Sequence, residues 1–280
     1  WLIISPLAAK NNLQQKEGSV MHKETVIIDF PLRGEWYTET SPADRVPSHG
    51  TDRFGLSYAF DFIQKDQKDA SHTGDSASYL LGGISLEKYY CFGQPVYASF
   101  AGEVVTVKNN TSDGEKASWL HDQMTAIRHS LFFNPERDGY EAIAGNYAII
   151  KQAIGIYAAF CHLQKDSIAV AEGEEITKGT YLGNVGHSGN STEPHLHFQL
   201  MDSAIIESAN GLPLVFAAYE KFNGTSWEIV KNQIPGAGDR IRSLESTRPE
   251  KMVGRTCCHY KRLLGGDRSR SIEPDLFRHR

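Results

Sequence analysis

Apolar residues along this chain come in short runs with a period near two, broken by glycine, which predicts strands and leaves little room for helix. Residues 25–33 (TVIIDFPLR) open as an apolar strand that a proline ends, and residues 57–63 (SYAFDFI) form a second strand with Asp61 set among aromatics. Further strands are predicted at Pro95–Ser99 and Glu103–Val107, and a hairpin at Asn146–Gln152 and Gly155–His162. From 167 to 189 short β-rich pieces alternate with glycines, as tight antiparallel turns require. Two stretches lack this period, about 64–92 and 109–144, and read as insertions, the second with helical character near Trp119–Ser130. Leu212–Val230 is mixed in pattern. The expectation is one mainly β domain at 24–232, an antiparallel sheet or sandwich, after an N-terminal stub at 1–23. A basic, irregular and disordered tail is expected at 233–280.

Composition narrows the function classes. The 280 residues suffice for one large domain or two small ones, and no run of eighteen apolar residues could span a bilayer. The tail from Asp239 carries 11 Lys and Arg against 6 Asp and Glu, so the net charge of −5 conceals an acidic body. An acidic body argues against nucleic acid as a partner. Four cysteines (Cys91, Cys161, Cys257, Cys258) make neither a disulfide framework nor a C-x-x-C zinc knuckle. The apolar opening WLIISPLAAK fits a remnant of a secretory signal, or equally sequence upstream of Met21.

The chemistry concentrates in residues 186–200, GHSGNSTEPHLHFQL. On a strand His195 and His197 share a face, with Leu196 turned away. Paired imidazoles can bind metal, serve as acid and base, or merely sit on an exposed strand. Asp61, a carboxylate in an apolar strand, would cost several kcal/mol to bury unpaired, which a metal or an arginine would offset. His49, in the loop PSHGTD, can bend back over that strand. His49, Asp61 and His197 would then form a two-histidine, one-carboxylate site with an open position for water.

GNYAIIK (145–151), FCHL (160–163), AVAEGEEITKGTYLGNVGHSGNSTEPHLHFQL (169–200) and GQPVYASFAGEVV (93–105) together resemble the lysostaphin/LytM-type zinc endopeptidases that cut peptidoglycan. The resemblance covers most of residues 24–205. It implies a duplicated hybrid motif fold, one zinc per chain, and peptidoglycan peptides as substrate. It also implies zinc ligation by His49, Asp61 and His197, with His162 and His195 as catalytic histidines. One departure stands out: in the family's commonest pattern the first His and the Asp are four residues apart, whereas His49 and Asp61 are twelve apart. Asp52 is the competing ligand, but it lies in a polar loop and not before an apolar strand residue. His187 reads as a turn residue, and His72, His121 and His129 as solvated insertion residues. Cys161 should alternate to the face opposite His162 as a packed thiol. Cys257 and Cys258 are exposed tail residues, and Asn190, Ser191 and Glu193 turn-shapers. The runner-up function is a catalytically silent wall-binding or hydrolase-activating module. A phosphocarrier of the sugar-phosphotransferase type is a third. A peptidoglycan substrate implies an extracellular or cell-envelope location, and oligomeric state is not legible.

Overall fold

Short strands dominate, as the period-two pattern requires. The computed structural model describes residues 25–75, 82–118, 139–152 and 155–244. Along these the strands are β1 (Val26–Ile28), β2 (Glu35–Thr40), β3 (Phe60–Ile63), β4 (Ile84–Ser85), β5 (Pro95–Tyr97), β6 (Gly102–Lys108) and β7 (Lys116–Ala117). They continue as β8 (Asn146–Lys151), β9 (Tyr157–Leu163), β10 (Glu175–Ile176), β11 (Tyr181–Asn184), β12 (Leu196–Met201), β13 (Leu214–Phe222), β14 (Trp227–Gln233) and β15 (Arg240–Arg242). One short helix, α1 (Glu141–Ala144), precedes β8.

The main sheet runs β1-β13-β15-β2-β3-β12-β9-β8-β6-β10, with β14 paired to β13. Its pairs are antiparallel except β1 with β13, so the mainly β, antiparallel expectation holds with one parallel exception. Strand alternation divides the sheet's two faces. Phe60 and Phe62, Phe160, Leu196, Phe198 and Leu200, and Phe216 pack into the larger core, closed by Val96 of β5 and Leu182 of β11. Phe30 meets Phe62 edge-on at 5.1 Å, and Phe160 meets Phe198 at the same distance. Burying each such ring contributes roughly 1.5–3 kcal/mol. The intervening residues Cys161 and Met201 point to the other face, into a smaller cluster with Phe54, Tyr140 and Tyr147.

The two insertions are tied together. Ile84 of β4 pairs with Ala117 of β7, over a small core of Ile84, Leu86, Tyr89 and Ala117. The helix expected near Trp119–Ser130 lies outside the described residues, as do His121, His129, Cys257 and Cys258. Among the described residues no helix is long and apolar enough to cross a membrane.

Three elements differ from the sequence pattern. The strand expected from Ser57 starts at Phe60, because Arg53–Tyr58 forms a 3-10 segment kinked by left-handed backbone at Phe54 (φ 60) and Gly55 (φ 76). Strand β2 was not legible: its inward positions are Trp36 and Thr38, which give no apolar alternation. The sheet also continues past residue 233, where a disordered tail is expected. Strand β15 sits between β13 and β2, with Ile241 fully buried. Its flanking Arg240 and Arg242 disguise it as tail. In the fold they pair with Glu35 and Glu220, and the Arg242 guanidinium lies 4.3 Å from the Trp227 ring centre. Residues from 245 onward lie outside the described set.

Gly145, in GNYAIIK, shows why a glycine is needed ahead of β8. Its φ of 65° with ψ of −135° suits only glycine, and a Cβ there would strike the Ser188 backbone. That close approach brings the 186–195 loop against the start of β8, which positions the site described next.

Candidate active site

Strands β3, β12 and β9 lie side by side, and their register sets the site. His197 stands opposite Asp61 on one neighbour and Cys161 on the other. Since Phe60 and Phe198 face the larger core, alternation turns Asp61 and His197 together to the opposite face. His195 shares that side, two residues before His197.

His162 reaches the same face by a different route. The register between β8 and β9 shifts between Asn146 and Ala148, and His162 has a left-handed φ of 58°. Such a bulge re-aims one side chain, at a backbone cost of roughly 1–3 kcal/mol. Cys161 and His162 therefore both line the cleft, where plain alternation would have placed them on opposite faces. The expectation that Cys161 turns away from His162 fails for this reason. Cys161 is nonetheless buried, and that burial pushes its thiol up to about 12, so it stays protonated.

The donor geometry is close. His49 Nε2 lies 2.9 Å from Asp61 Oδ2, and His197 Nδ1 lies 2.9 Å from Asp61 Oδ1. One ligand atom from each of these three residues lies within 4.8 Å of the others, so the group could hold a metal ion. Two imidazoles and one carboxylate form the donor set of many catalytic zinc sites. The remote ring nitrogens are held as well: Ser48 Oγ lies 3.0 Å from His49 Nδ1, and Gln199 Oε1 lies 2.9 Å from His197 Nε2. Asp52 is exposed and outside this group.

His162 and His195 stand beside the set, ring centres 4.7 Å apart. His162 Nδ1 lies 2.8 Å from the Ser188 carbonyl, and His195 Nδ1 lies 2.7 Å from the Glu193 carbonyl. Carbonyls only accept, so each Nδ1 carries the proton and each Nε2 keeps its lone pair. The His195 Nε2 lies 3.6 Å from Asp61 Oδ1. These are two basic nitrogens beside a possible cation.

Charge follows from packing. Burial alone would push the Asp61 carboxyl up, but the positive charges available at His49 and His195, with bonds from His197 and His49, hold it well below its ordinary value. Burial, reinforced by His195 and His197, pushes His162 well below 6.5. His162 is thus neutral in the fold down to a pH at which an unfolded chain has protonated it. Stability should therefore fall as the pH drops below about 6.5 toward the folded-state value. A proton NMR titration of the His162 ring should give a midpoint below 6.5; a midpoint at or above it would remove His162 as a neutral base.

The cleft over these groups has a volume of about 470 Å³. Arg53, Phe54, Leu56, Tyr140, Ile143, Asn190 and Thr192 line it beside the five central residues. Several neighbours were not legible as site residues, among them Ser48, Ser188, Gln199 and Tyr140, since a serine or tyrosine in a loop, or a glutamine in a strand, carries no pattern of its own. Ser191 does more than shape a turn, its hydroxyl lying 3.1 Å from His195 Nδ1. The insertions brace the loop: Ser71 donates to Glu193 (2.7 Å), and Asp113 accepts from the His187 amide (2.8 Å). His187 and His72 belong to neither metal-competent group among the described residues.

Comparison with known proteins agrees with the motifs. Residues 136–213 match the model of peptidase family M23, so the resemblance to lysostaphin/LytM-type peptidases holds. The peptidoglycan DD-endopeptidase ShyC of Vibrio cholerae is 31% identical over 110 residues, covering 39% of this chain and 24% of that protein. ShyA of the same organism, also a peptidoglycan DD-endopeptidase, is 36% identical over 58 residues, 21% of this chain and 13% of that protein. These matches span a quarter or less of the length of either relative. Among solved structures, the catalytic domain of lysostaphin from Staphylococcus simulans aligns at 17% identity and a TM-score of 0.31, covering 64% of this chain and 88% of that one.

Proposed function

We propose that this chain, whose central segment is that of an M23 peptidase, is a zinc-dependent endopeptidase that hydrolyses peptide bonds of peptidoglycan. The observation that carries the reading is the convergence of His49, Asp61, His162, His195 and His197 in one cleft. The names of the Vibrio relatives support the substrate class. Peptidoglycan lies outside the cytoplasm, so the chain would act in the cell envelope or beyond it. The domain would comprise the β-rich body from residue 24, its two insertions included.

In this reading His49, Asp61 and His197 would hold the zinc. When bound, the ion would supply Lewis-acid polarisation of the scissile carbonyl and a water acidic enough to attack near neutral pH. The chain's own residues do the rest. His162 and His195, protonated at Nδ1 toward fixed carbonyls, present basic Nε2 atoms to the cleft. Together they can take the proton of an attacking water and deliver one to the departing amine. Once protonated, either also stabilises the negative oxygen of the tetrahedral intermediate. Ser188 and Glu193 hold the rings in place through backbone carbonyls, so the orientation does not depend on mobile side chains. The apolar walls at Phe54, Leu56, Ile143 and Ala144 leave an open slot suited to an extended peptide.

The test is digestion of purified peptidoglycan sacculi, with released fragments identified by mass spectrometry. Fragments newly ended at peptide bonds, absent in chelator and restored by zinc, are the expected result. A chain that sediments with sacculi yet releases nothing would instead be the silent binding module. Cleavage that persists in chelator would exclude zinc from the chemistry.

A further inference from the structure

His49 and Asp61 lie twelve positions apart, a departure from the family's commonest spacing, and six of the residues between them form the kinked Arg53–Tyr58 segment. Two backbone carbonyls of that segment face inward onto polar side chains. The Phe54 carbonyl accepts from Gln199 Nε2 at 2.7 Å, and the Leu56 carbonyl accepts from Ser48 Oγ at 3.1 Å. Gln199 and Ser48 are fully buried. They are also the two side chains bonded to the remote ring nitrogens of His197 and His49.

We infer that Ser48 and Gln199, oriented by these two carbonyls, select the metal-binding tautomers of His49 and His197, and that the long spacer supplies the carbonyls that orient them.

The argument is one of donors and acceptors. A carbonyl oxygen cannot donate, so the NH₂ end of Gln199 must face Phe54, and its oxygen must face His197. That oxygen can only accept, so His197 Nε2 carries the proton. The lone pair of His197 is then left on Nδ1, the nitrogen 2.9 Å from Asp61. Ser48 has one hydroxyl proton, and the Leu56 carbonyl takes it. Its oxygen must then accept from His49 Nδ1, which leaves the His49 lone pair on Nε2, also 2.9 Å from Asp61. While also protonated at the near nitrogen, each ring donates to Asp61; once that proton leaves, as binding a cation requires, the lone pair falls on that same nitrogen beside the carboxylate, because the far nitrogen is already committed as a donor. Partners on the far side of a ligating ring generally fix its tautomer and raise its basicity. The kink is packed for this purpose: a Cβ on Gly55 would come within 2.8 Å of Gln199 Nε2 and 2.7 Å of Met201 Cγ. Only glycine there lets the segment approach so closely.

This inference rests on the zinc reading above, and the experiment separates the two. Zinc affinity is measured by chelator competition on the full chain for wild type, Ser48→Ala, Ser48→Thr and Gln199→Met. The two variants that lose the acceptor should bind zinc about 10- to 100-fold more weakly, and Ser48→Thr, which keeps it, should bind close to wild type. Should a variant fail to fold, nitrogen-15 spectra of the imidazoles in zinc-loaded wild type decide alone. The remaining ring proton is expected on Nδ1 of His49 and on Nε2 of His197. Unchanged affinity in both acceptor-less variants, or the ring protons on the opposite nitrogens, would overturn the inference. Wild type that binds no zinc would overturn the proposed function itself.

Discussion

Replacing Asp61 with alanine should abolish zinc binding and reduce hydrolysis to the level of chelator-treated wild type. Asp61 is the only carboxylate in either metal-competent group among the described residues, and it bridges both histidines. Losing a partner behind a ligand typically costs 10- to 100-fold in affinity, so losing the ligand itself should cost more. Two neutral imidazoles would remain, without the negative charge that offsets the dication. The same substitution should alter acid stability in a defined direction. The carboxyl is held well below 3.8 in the fold. Its contribution is therefore present in full above about 3.8, and it is lost as the pH falls from there through the folded-state value. The melting temperature of the metal-free alanine variant should accordingly vary less across that window. Metal content by mass spectrometry decides the main point. If Asp61→Ala still holds one zinc, the carboxylate ligand lies elsewhere, with Asp52 the first candidate.

Replacing His195 with alanine should leave zinc bound and lower kcat by about 10²- to 10⁴-fold, the usual contribution of a positioned acid or base. The separation is readable because His195 stands 3.6 Å from the Asp61 oxygen to which His197 is bonded at 2.9 Å. His162→Ala should fall in the same range. The double variant should lose less than the product of the two single losses, since the rings sit 4.7 Å apart and act on one proton inventory. Metal content and single-turnover hydrolysis of a defined stem peptide measure both quantities. Loss of zinc in His195→Ala would make that residue a ligand and recast the site around His162, His195 and His197, which also lie close enough to share an ion.

The sequence carried the site's endpoints better than its connections. His195 and His197 were legible as a same-face pair because strand alternation is local, and Asp61 because a charge in an aromatic strand demands a partner. His162 was legible only through the motif FCHL. By alternation alone it would have faced the core, and the bulge that turns it around arises from register with β8, a neighbour far away in sequence. The same limit explains Cys161, placed on the wrong side of His162 by a rule that the bulge suspends.

What the sequence by itself determined is the set of elements and their chemistry: β-rich periodicity, glycine-spaced turns, and five residues of the right types in motifs. These depend on side-chain identity and near-neighbour spacing, which a linear chain displays directly. Tertiary structure decided which of those residues meet, which nitrogen each ring offers, and where the sheet ends. Strand β15 is the clearest instance. Its one buried isoleucine has no periodicity, and its arginines become strand residues only where Glu35, Glu220 and Trp227 receive them. Likewise Ser48 and Gln199 have no meaning until the Leu56 and Phe54 carbonyls orient them. Hydrogen-bond direction is a property of pairs, and the pairs exist only once the chain has closed on itself.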